Sequence, residues 1–573
     1  MAGLPEPRKD HAVVMALFAY ECRGIVNPLV NKLEVVLGPG TSDLAMRFGL
    51  HSGPVTAGVL RGEKSRFQLF GDTVNTASRI ETTSERDKIH LSQDTANHLI
   101  EAGKKDWITP REGTVTAKGK GTMQTYWLTM SGKYEKYLSR KGEKPALTIS
   151  DGPGTGSSSK QTKKQREERL IDWLADVLYK NLQKIEAMRA SDRRENMEEW
   201  SRLRHKSKKG TTVLDEVEDV ISLSPEIHEY QQDPNSIRLS DKVYDQLRDY
   251  VAKIADLYRE NPFHSFEHAS HVTQSVTKLL TRVVTPDVDV QNNKIGNVLH
   301  QYTYGITSDP LIQFACAFSA LIHDADHPGV PNAQLVKENT ASAKLYKNKS
   351  VAEQNSVDLA WELLIEPRYA DLRQCIYTNQ EELDRFRQLV VNSVMATDIV
   401  DKELGALRKK RWAKAFSTDG ATTGDLKEGL KEGHSKTAKH HLIRRDQNRK
   451  ATIVIEHIIQ ASDVSHTMQH WHVYIKWNEK FFHENYRAFL AGRAEKDPSE
   501  GWYEGEIGFF DFYVIPLAKK LKECGVFGVA SDEYLNYALA NRLEWKMKGQ
   551  EVLQGYLDKY KNNRPGSMKS GKS

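Results

Sequence analysis

Cysteine is scarce in this chain, since only four thiols are spread over 573 residues and none of them forms a CxxC pattern. Such spacing fits a reducing, cytosolic compartment rather than a secreted disulfide framework. We find no unbroken apolar run long enough to span a bilayer, and no signal-peptide pattern at the N-terminus. The net charge of +5 is too small to indicate nucleic-acid binding. A soluble protein in the cytoplasm is therefore expected.

Length and composition predict more than one domain. The chain is longer than a single hydrophobic core usually serves. Hydrophobic residues make up 39% of it and charged residues 28%, which is ordinary for globular proteins. The composition changes along the chain and predicts five segments: a mixed strand and helix region (1–130), a flexible linker (131–168), a helical connector (169–213), an almost wholly helical domain (214–560) and a disordered tail (561–573).

Two local patterns refine this division. "AMRFGLHSGPVTAGVL" predicts two short strands around a Gly-Pro turn, and "RFQLFGDTVNTASRI" predicts a strand that leads into a helix. Within the helical domain, 401–450 is basic and contains glycine, so we expect its middle to be an exposed, mobile loop. This loop is either a solvated insertion or a surface that binds a partner.

An apolar run that ends in four ionisable groups carries the main chemical signal. The stretch "FSALIHDADHPGVPN" (318–332) is typical of a buried helix, yet it leads into His323, Asp324, Asp326 and His327. Ionisable groups in an apolar wall are costly to desolvate unless something compensates their charge. A bound cation would do so.

Two further motifs supply residues for such a cation. In "NPFHSFEHASHV" His264 and His268 are four residues apart, a spacing that would place both on one face of a helix. Asp463 follows another apolar helical stretch in "IIQASDVSHTMQHW". Imidazoles beside carboxylates suit borderline or hard divalent cations, and a bridging aspartate can hold two of them. We therefore predict a dinuclear metal site.

These residues also carry a family resemblance. The motifs "HSFEHA", "HDADHPG", "SVAEQNSVDLAW", "ATD", "ASDVSH" and "EIGFFDF" occur in the order seen in class I cyclic-nucleotide phosphodiesterases, so 214–560 resembles their all-α, HD-type catalytic domain. The resemblance implies a first metal, usually zinc, on four ligands: His268, His323, Asp324 and Asp463. A second metal, usually magnesium with manganese as an alternative, would share Asp324. Three further positions would orient the ligands: His327, Glu353 and Thr397. Asp326 matches no ligand position and is expected to be structural.

The resemblance also implies a reaction. The two cations would clamp a 3′,5′-cyclic phosphate and activate the water that attacks phosphorus in line. The ribose 3′ oxygen must leave as an alcohol, and His264 would donate the proton that it needs. The products would be 5′-nucleoside monophosphates.

Two positions depart from the family pattern. Ser265 stands where the family usually has asparagine after the acid histidine, and Glu506 stands where it has a purine-binding glutamine. An ionised carboxylate only accepts hydrogen bonds, so it would favour the two adjacent donors of guanine and hence cGMP over cAMP. Phe509 matches the aromatic that stacks on the purine, and His466 stands where many relatives carry asparagine near the base. Glu506 as a solvated carboxylate and Phe509 as plain core packing remain alternatives.

The N-terminal region resembles another family. "FGDTVNTASR" and the later "KGKG" are similar to the C-terminal part of a class III adenylate or guanylate cyclase domain, an α+β (ferredoxin-like) fold. By that match Asn75 and Arg79 would steady the transferring phosphoryl group, and Lys118 would contact the terminal phosphates. The pair of metal-binding aspartates is missing, and Gln68 replaces a base-selecting residue. We expect an incomplete domain without cyclase activity of its own, as in a truncation of a protist cyclase–phosphodiesterase fusion.

Three functions remain open from the sequence. The leading one is a metal-dependent phosphodiesterase in cyclic-nucleotide signalling. A second is a regulatory or dimerisation module with vestigial hydrolysis, since cyclase domains pair and the connector helix could self-associate into a homodimer. A third is an HD-type phosphohydrolase on another phosphate ester. No nucleic-acid partner is expected, and a membrane is expected only through segments absent from this chain.

Overall fold

The computed structural model forms two compact units, Met1–Arg166 and Glu167–Ser573. It describes the following residues: 1–4, 6–60, 66–117, 121–130, 159–189, 203, 210–223, 232–283, 302–416, 436–527 and 530–561. Predictions that fall on the other residues, which include the tail 562–573, lie outside the described part of the chain.

The first unit is built on a four-stranded sheet. Its strand order is β1-β4-β8-β5, with β1 parallel to β4 and the other two pairings antiparallel. Two separate hairpins, β2–β3 and β6–β7, complete the strands. The bounds are β1 Phe48–Leu50, β2 Thr56–Leu60, β3 Arg66–Phe70, β4 Ile89–Ser92, β5 Ile108–Pro110, β6 Val115–Ala117, β7 Gly121–Met123 and β8 Thr125–Leu128. The helices are α1 His11–Leu37, α2 Asp72–Thr82 and α3 Gln93–Glu101.

Both local patterns of this region fold as the sequence predicts. The Gly-Pro stretch separates β1 from β2, and β3 leads into α2. Gly49 is required where β1 meets α2, because a Cβ at this position would lie 2.1 Å from the backbone nitrogen of Glu81. A backbone contact this close excludes every residue with a side chain.

Helix α1 bears on whether the chain contains a membrane span. It is long and apolar enough to cross a membrane by length and composition, although 24% of its most apolar window is buried inside the structure. The sequence hides this because a few polar residues interrupt the apolar run. One face of α1 packs in the core of the first unit through small side chains: Ala12, Val13, Ala16 and Ala19. A helix of a soluble domain passes the same test, so the finding alone does not indicate a membrane protein.

The described residues of the second unit form helices and the turns that connect them, without a strand. Its α-helices are α4 Ser159–Met188, which begins in the first unit, α5 Asp241–Leu257, α6 Phe266–Thr281, α7 Pro310–Ile322, α8 Asn332–Lys337, α9 Ala341–Leu345, α10 Val351–Leu364, α11 Ala370–Ile376, α12 Gln380–Met395, α13 Lys402–Phe416, α14 Lys436–Asp463, α15 Trp471–Leu490, α16 Trp502–Phe509, α17 Ile515–Glu523 and α18 Ala530–Lys561. A π-helical turn, Phe510–Val514, joins α16 to α17.

Helix α7 is the central element of this unit. Asp309 caps it by accepting a hydrogen bond from the backbone of Leu311, and Pro310 occupies its first turn. Its side chains are buried almost throughout, against α6 and α12 among others. The helix ends at Ile322, so the apolar run delivers His323 and Asp324 directly into the interior, as the sequence predicts.

The connector starts earlier than its composition indicates. Helix α4 begins at Ser159, inside the segment predicted to be a flexible linker. The residues there are mostly lysine, glutamine, arginine and glutamate, which have high helix propensity even when they bury nothing. Further along, Leu174, Leu178 and Leu182 are fully buried in the core of the second unit. The remaining predicted boundaries stay predictions.

The basic segment 401–450 is helical at both ends. It comprises α13 and the first half of α14, and its middle, 417–435, lies outside the described residues. The expected mobile loop therefore remains a prediction.

Candidate active site

Three helices bring the predicted metal ligands together. His268 lies on α6, His323 and Asp324 follow α7, and Asp463 is the last residue of α14. Nε2 of His268 lies 3.0 Å from Oδ1 of Asp463 and 3.7 Å from Oδ2 of Asp324. Nε2 of His323 lies 3.1 Å from Oδ2 of Asp324 and 3.4 Å from Oδ1 of Asp463. Two imidazoles and two carboxylates thus converge on one point.

The donor atoms fit a divalent cation. Nε2 of His323 and Oδ2 of Asp324 are buried and have no hydrogen-bond partner among the described residues. Nδ1 of His323 donates to the carbonyl of Ala320 at 2.9 Å, which directs Nε2 toward Asp324 and Asp463. Buried polar atoms without partners are rare unless a ligand satisfies them. Nitrogen and carboxylate oxygen donors in this arrangement suit zinc and other divalent metals.

The charges of the cluster are mutually dependent. Burial disfavours the ionised form of both aspartates, but the neighbouring histidines outweigh it and hold the pKa values of Asp324 and Asp463 below their usual range. Both carboxylates are therefore anionic at neutral pH, as a cation site requires.

His264 lies beside the cluster but not on the helix. The sequence predicts that His264 and His268 share a helix face, whereas α6 begins only at Phe266 and Ser265 is its N-cap. The hydroxyl of Ser265 accepts a hydrogen bond from the backbone nitrogen of His268. A serine followed by a hydrophobic helix is a common N-cap, so this position ends the helix that spacing alone would extend. Ser265 thus fixes the start of α6, and its hydroxyl also donates to the carbonyl of Phe263 at 3.1 Å.

Glu484 holds the ring of His264, and sequence reasoning missed it. One carboxylate oxygen contacts Nδ1 of His264, and the other accepts hydrogen bonds from the backbone nitrogens of Phe263 (2.9 Å) and His264 (3.0 Å). Burial opposes the charge on the imidazole, but Glu484 and Asp324 outweigh it and raise the pKa of His264 to about 9. Burial likewise opposes the charge on Glu484, yet His264 lowers the pKa of that carboxyl to about 2. At neutral pH the pair is imidazolium and carboxylate.

His327 stacks on His264 with ring centroids 3.8 Å apart. Burial, together with the charge of His264, lowers the pKa of His327 to about 3. Its Nδ1 accepts a hydrogen bond from the backbone nitrogen of Gly329 at 3.2 Å. His327 is therefore a neutral imidazole beside a charged one.

The other two predicted orienting residues also line the cavity. Burial and the proximity of Asp398 raise the pKa of Glu353 to about 8, and Glu353 accepts a hydrogen bond from the side chain of Asn332 at 2.8 Å. The hydroxyl of Thr397 donates to the carbonyl of Val394. Both residues border the same space as Asp324 and Asp463.

The cavity has a volume of about 540 Å³ and continues from the cluster to Glu506, Phe509 and His466. The carboxyl group of Glu506 is buried and accepts a hydrogen bond of 2.7 Å from the hydroxyl of Tyr474, so the alternative of a solvated carboxylate is wrong. Burial raises the pKa of Glu506 to about 7, although Tyr474 and Asn478 act in the opposite direction. Burial also lowers the pKa of His466 to about 3, so it is neutral.

Phe509 is half-buried and stacks on Tyr513, with ring centroids 5.4 Å apart. It lines the cavity next to Glu506 and is thus open to a ligand on one side. The structure therefore brings all the predicted phosphodiesterase residues to one cavity or its wall.

The residues predicted from the cyclase resemblance are only partly described. Asn75 and Arg79 lie one turn apart on α2, with Asn75 exposed and Arg79 half-buried. Lys118 and the side chain of Gln68 lie outside the described part of the chain.

Comparison with known proteins identifies both regions. Residues 263–526 match the family model of the 3′5′-cyclic nucleotide phosphodiesterases, and residues 1–130 match that of the adenylate and guanylate cyclase catalytic domain. The second region of the chain thus contains a catalytic domain of the cyclic-nucleotide phosphodiesterase family, preceded by a partial domain of the cyclase family. The predicted fold class, an all-α domain after an incomplete α+β domain, is confirmed.

Two curated relatives and one solved structure match parts of this chain. The Caenorhabditis elegans protein "Probable 3′,5′-cyclic-AMP phosphodiesterase pde-4" is 25% identical over 47% of this chain and 35% of its own length. The "Receptor-type guanylate cyclase gcy-28" of the same organism is 42% identical over 22% of this chain and 10% of its own length. The phosphodiesterase domain of the Salpingoeca rosetta rhodopsin phosphodiesterase matches at 22% identity and a TM-score of 0.39, over 56% of this chain and 84% of that one. The chain spans about a third or less of the length of these two curated relatives.

Proposed function

We propose that the second unit hydrolyses 3′,5′-cyclic nucleotides to 5′-nucleoside monophosphates and prefers cGMP to cAMP. The observation that carries the proposal is one cavity that joins three groups: a cluster of histidines and aspartates suited to cations, His264 with its partner Glu484, and a buried carboxyl group at the position of the family's purine-binding glutamine. A cyclic nucleotide has a matching set, namely a phosphodiester, a ribose oxygen that must be protonated and a purine edge.

The phosphate end needs divalent cations. His268, His323, Asp324 and Asp463 would hold zinc, with magnesium or manganese as the second ion sharing Asp324. Bound cations supply positive charge to the phosphate oxygens and activate the attacking water. The oxygen of this water would form the new bond to phosphorus and the water would release a proton to solvent, while the bond from phosphorus to the ribose 3′ oxygen breaks.

The leaving group needs a proton, and His264 is the group that provides it. Its pKa of about 9 keeps it protonated at neutral pH, and Glu484 fixes the direction of its ring. The proton passes from His264 to the 3′ oxygen as the bond to phosphorus breaks. His327 does not compete for this proton, because its own pKa is far lower.

The base end determines the preference among substrates. Tyr474 donates to one carboxylate oxygen of Glu506 at 2.7 Å, Asn478 also hydrogen-bonds this carboxyl group, and Glu506 borders the cavity where the base would lie. An ionised Glu506 accepts hydrogen bonds from N1–H and the amino group of guanine, whereas adenine offers it only one donor. Phe509 would stack on one face of the purine, and His466 borders the same region of the cavity.

The first unit is proposed to act as a regulatory or dimerisation element, without cyclase activity by itself. We propose that the second unit lies in the cytoplasm, either as part of a soluble protein or as the cytosolic part of a membrane protein. A homodimer could form through the cyclase region or through α4.

The decisive measurement is kcat/KM for cGMP and cAMP with Mg²⁺ present and after chelation. We expect turnover that requires the metal and is faster for cGMP. His268→Ala and Asp463→Ala should abolish hydrolysis and lower the metal content, while His483→Ala, on α15 and outside the cluster, should retain both. Unchanged turnover in either ligand variant would refute the ligand set.

A separate variant tests the base preference. Glu506→Gln restores an amide that can donate as well as accept, so the ratio of kcat/KM for cGMP to that for cAMP should fall. An unaltered ratio would remove Glu506 from the selectivity argument and leave the hydrolase assignment intact.

A further inference from the structure

The segment just after α5 holds the loop that carries His323, Asp324 and His327. The carbonyl of Leu257 accepts a hydrogen bond of 3.1 Å from the backbone nitrogen of Asp326. The buried hydroxyl of Tyr258 donates to the carbonyl of Leu321 at 2.7 Å, in the last turn of α7. The side chain of Asn261 donates to the carbonyl of His327, also at 2.7 Å. Three backbone groups, on both sides of His323 and Asp324, are thus bonded to residues 257–261, which are the last residue of α5 and the turn after it.

The side chain of Asp326 joins this segment to another helix. One carboxylate oxygen accepts from Nε of Arg259 at 2.6 Å, and the other accepts from the side chain of Asn355 on α10 at 3.1 Å. The next residue on α10, Ser356, donates its hydroxyl to the carbonyl of Ala325 at 2.8 Å. Hydrogen bonds therefore hold the loop to Arg259, just after α5, on one side. On the other side they hold it to α10, which also carries Glu353.

Asp326 also has an unusual backbone. Its φ angle is 62°, in the left-handed region, which aspartate tolerates better than most side chains do. This conformation closes the turn in which the backbone nitrogen of His327 bonds to the carbonyl of Asp324 at 3.0 Å. The turn thereby fixes the backbone position from which the Asp324 side chain extends.

We propose that Asp326 is a positioning residue for the metal site and that Arg259 and Asn355 act through it. Its carboxylate anchors the loop to the turn that follows α5 and to α10, and its left-handed backbone shapes the turn, so that Asp324 and His323 converge with His268 and Asp463. This inference rests on the proposed function, because it assigns a role toward the cations which that function uses. Groups that orient metal ligands typically change metal affinity about 10- to 100-fold when they are removed.

The test is a titration of Mn²⁺ into the chelator-treated full chain, followed by electron paramagnetic resonance, without any nucleotide. Asp326→Ala removes the carboxylate and leaves a residue that resists a positive φ, and Asp326→Gly removes the same carboxylate without that backbone strain. We expect both variants to bind Mn²⁺ about 10- to 100-fold more weakly, with Asp326→Ala the weaker of the two. Asp326→Asn keeps the shape but can accept from only one of its two donors, so it should fall between Asp326→Gly and the unmodified chain.

Matched controls separate positioning from general stability. Asp256→Ala removes another exposed aspartate, which is paired with Lys253 near the end of α5, and it should leave Mn²⁺ affinity unchanged. Arg259→Ala removes the half-exposed partner of Asp326 and leaves Asp326 unchanged, so this variant should fold even if the Asp326 variants do not. It should weaken Mn²⁺ binding about 3- to 10-fold. Mn²⁺ affinity within twofold of the unmodified chain, in Asp326→Gly or in Arg259→Ala, would overturn the proposal.

The same titration distinguishes this inference from the proposed function. A chain that binds Mn²⁺ but hydrolyses neither cGMP nor cAMP would overturn the function, and weaker binding by Asp326→Gly would still support the positioning role. A chain that hydrolyses cGMP while Asp326→Gly binds Mn²⁺ normally would overturn the positioning role alone.

Discussion

Glu484 determines the protonation of His264. The pKa of about 9 that this contact gives to His264 keeps the imidazole charged across the neutral range and up to mildly alkaline pH. In Glu484→Gln the anionic partner is lost and burial then dominates, so the pKa of His264 falls. We expect kcat for cGMP at pH 8 to drop about 10- to 100-fold, which is within the usual contribution of a general acid. The alkaline limb of kcat/KM should move to lower pH.

The matching control is Glu479→Gln on the same helix. Glu479 pairs with Lys559 away from the cavity, so the same chemical change there should leave the pH profile as it is. A Glu484→Gln profile that coincides with that of the unmodified chain would mean that Glu484 does not set the charge of His264.

The preference for cGMP should depend on pH. Glu506 has a raised pKa of about 7, so it is mostly protonated below that pH and mostly ionised above it. Because the ionised form favours guanine, the ratio of kcat/KM for cGMP to that for cAMP should rise by several-fold between pH 6 and pH 8. Parallel pH profiles for the two nucleotides measure this ratio directly and cancel effects common to both.

Tyr474→Phe provides the check on that prediction. It removes a hydrogen bond that stabilises the ionised form of Glu506, so the pKa of Glu506 should rise and the change in preference should shift to higher pH. A ratio that does not vary with pH in either protein would contradict the ionised Glu506 as the selective group.

The sequence predicts which residues form the site better than it predicts what holds them. The apolar stretches that lead into the HDADH and ASDVSH motifs point to a cation, and the family resemblance implies which four residues would hold it: His268, His323, Asp324 and Asp463. Glu484 and Tyr474 carry no such signal, because they lie within an ordinary amphipathic helix and act on residues 220 and 32 positions away. Contacts of this kind depend on how the helices pack.

At the scale of elements, Arg189 joins α4 to the catalytic domain. It follows directly after α4 and donates to the carbonyls of Gln374, Cys375 and Ile376 at the end of α11, each at 3.0 Å. A cation at the C-terminus of a helix also interacts favourably with the helix dipole. Arg189→Ala should therefore lower the free energy of unfolding by about 2 kcal/mol, as followed by urea denaturation of the full chain.

Two variants bracket this prediction. Arg189→Lys keeps the charge, but an ammonium group cannot donate to all three carbonyls as the planar guanidinium does. The free energy of unfolding should therefore fall by about half as much as in Arg189→Ala. Lys180→Ala, on the exposed side of α4, should change the free energy by less than about 0.5 kcal/mol. Equal stability of Arg189→Ala and Lys180→Ala would show that α4 is not held at this point.

The sequence predicts a helix or strand well where a buried face sets its apolar pattern, and it predicts the ends of helices poorly where no such face exists. The apolar run of α7 and the strand–helix patterns of the first unit correspond to real elements, since their periodicity reflects a buried face. The start of α4 and the start of α6 were misplaced for opposite reasons. The first turns of α4 have helix propensity without an apolar pattern, and Ser265 ends a pattern that would otherwise include His264.

For the whole molecule, metal binding should stabilise one unit and not the other. The four residues proposed to bind the cation all belong to the second unit. A ligand present at 100 to 1,000 times its dissociation constant stabilises the folded form by about 2.7 to 4.1 kcal/mol. Differential scanning calorimetry with and without a chelator should therefore show a lower melting temperature for the second unit and an unchanged transition for the first.

His268→Ala is the internal control for this experiment. Its melting temperature should no longer respond to chelation, because the cluster has lost a ligand. A chelator effect of equal size on both transitions would contradict the assignment of the metal to the second unit.

The wide spacing of the ligands along the chain has a consequence for biosynthesis. His268 and Asp463 touch in the folded protein although 195 positions separate them. A ribosome makes the histidine first, and the growing polypeptide has an incomplete ligand set until the end of α14 has left the exit tunnel. The complete set of proposed metal ligands therefore exists only late in synthesis, and a chain that ends before Asp463 lacks one of them.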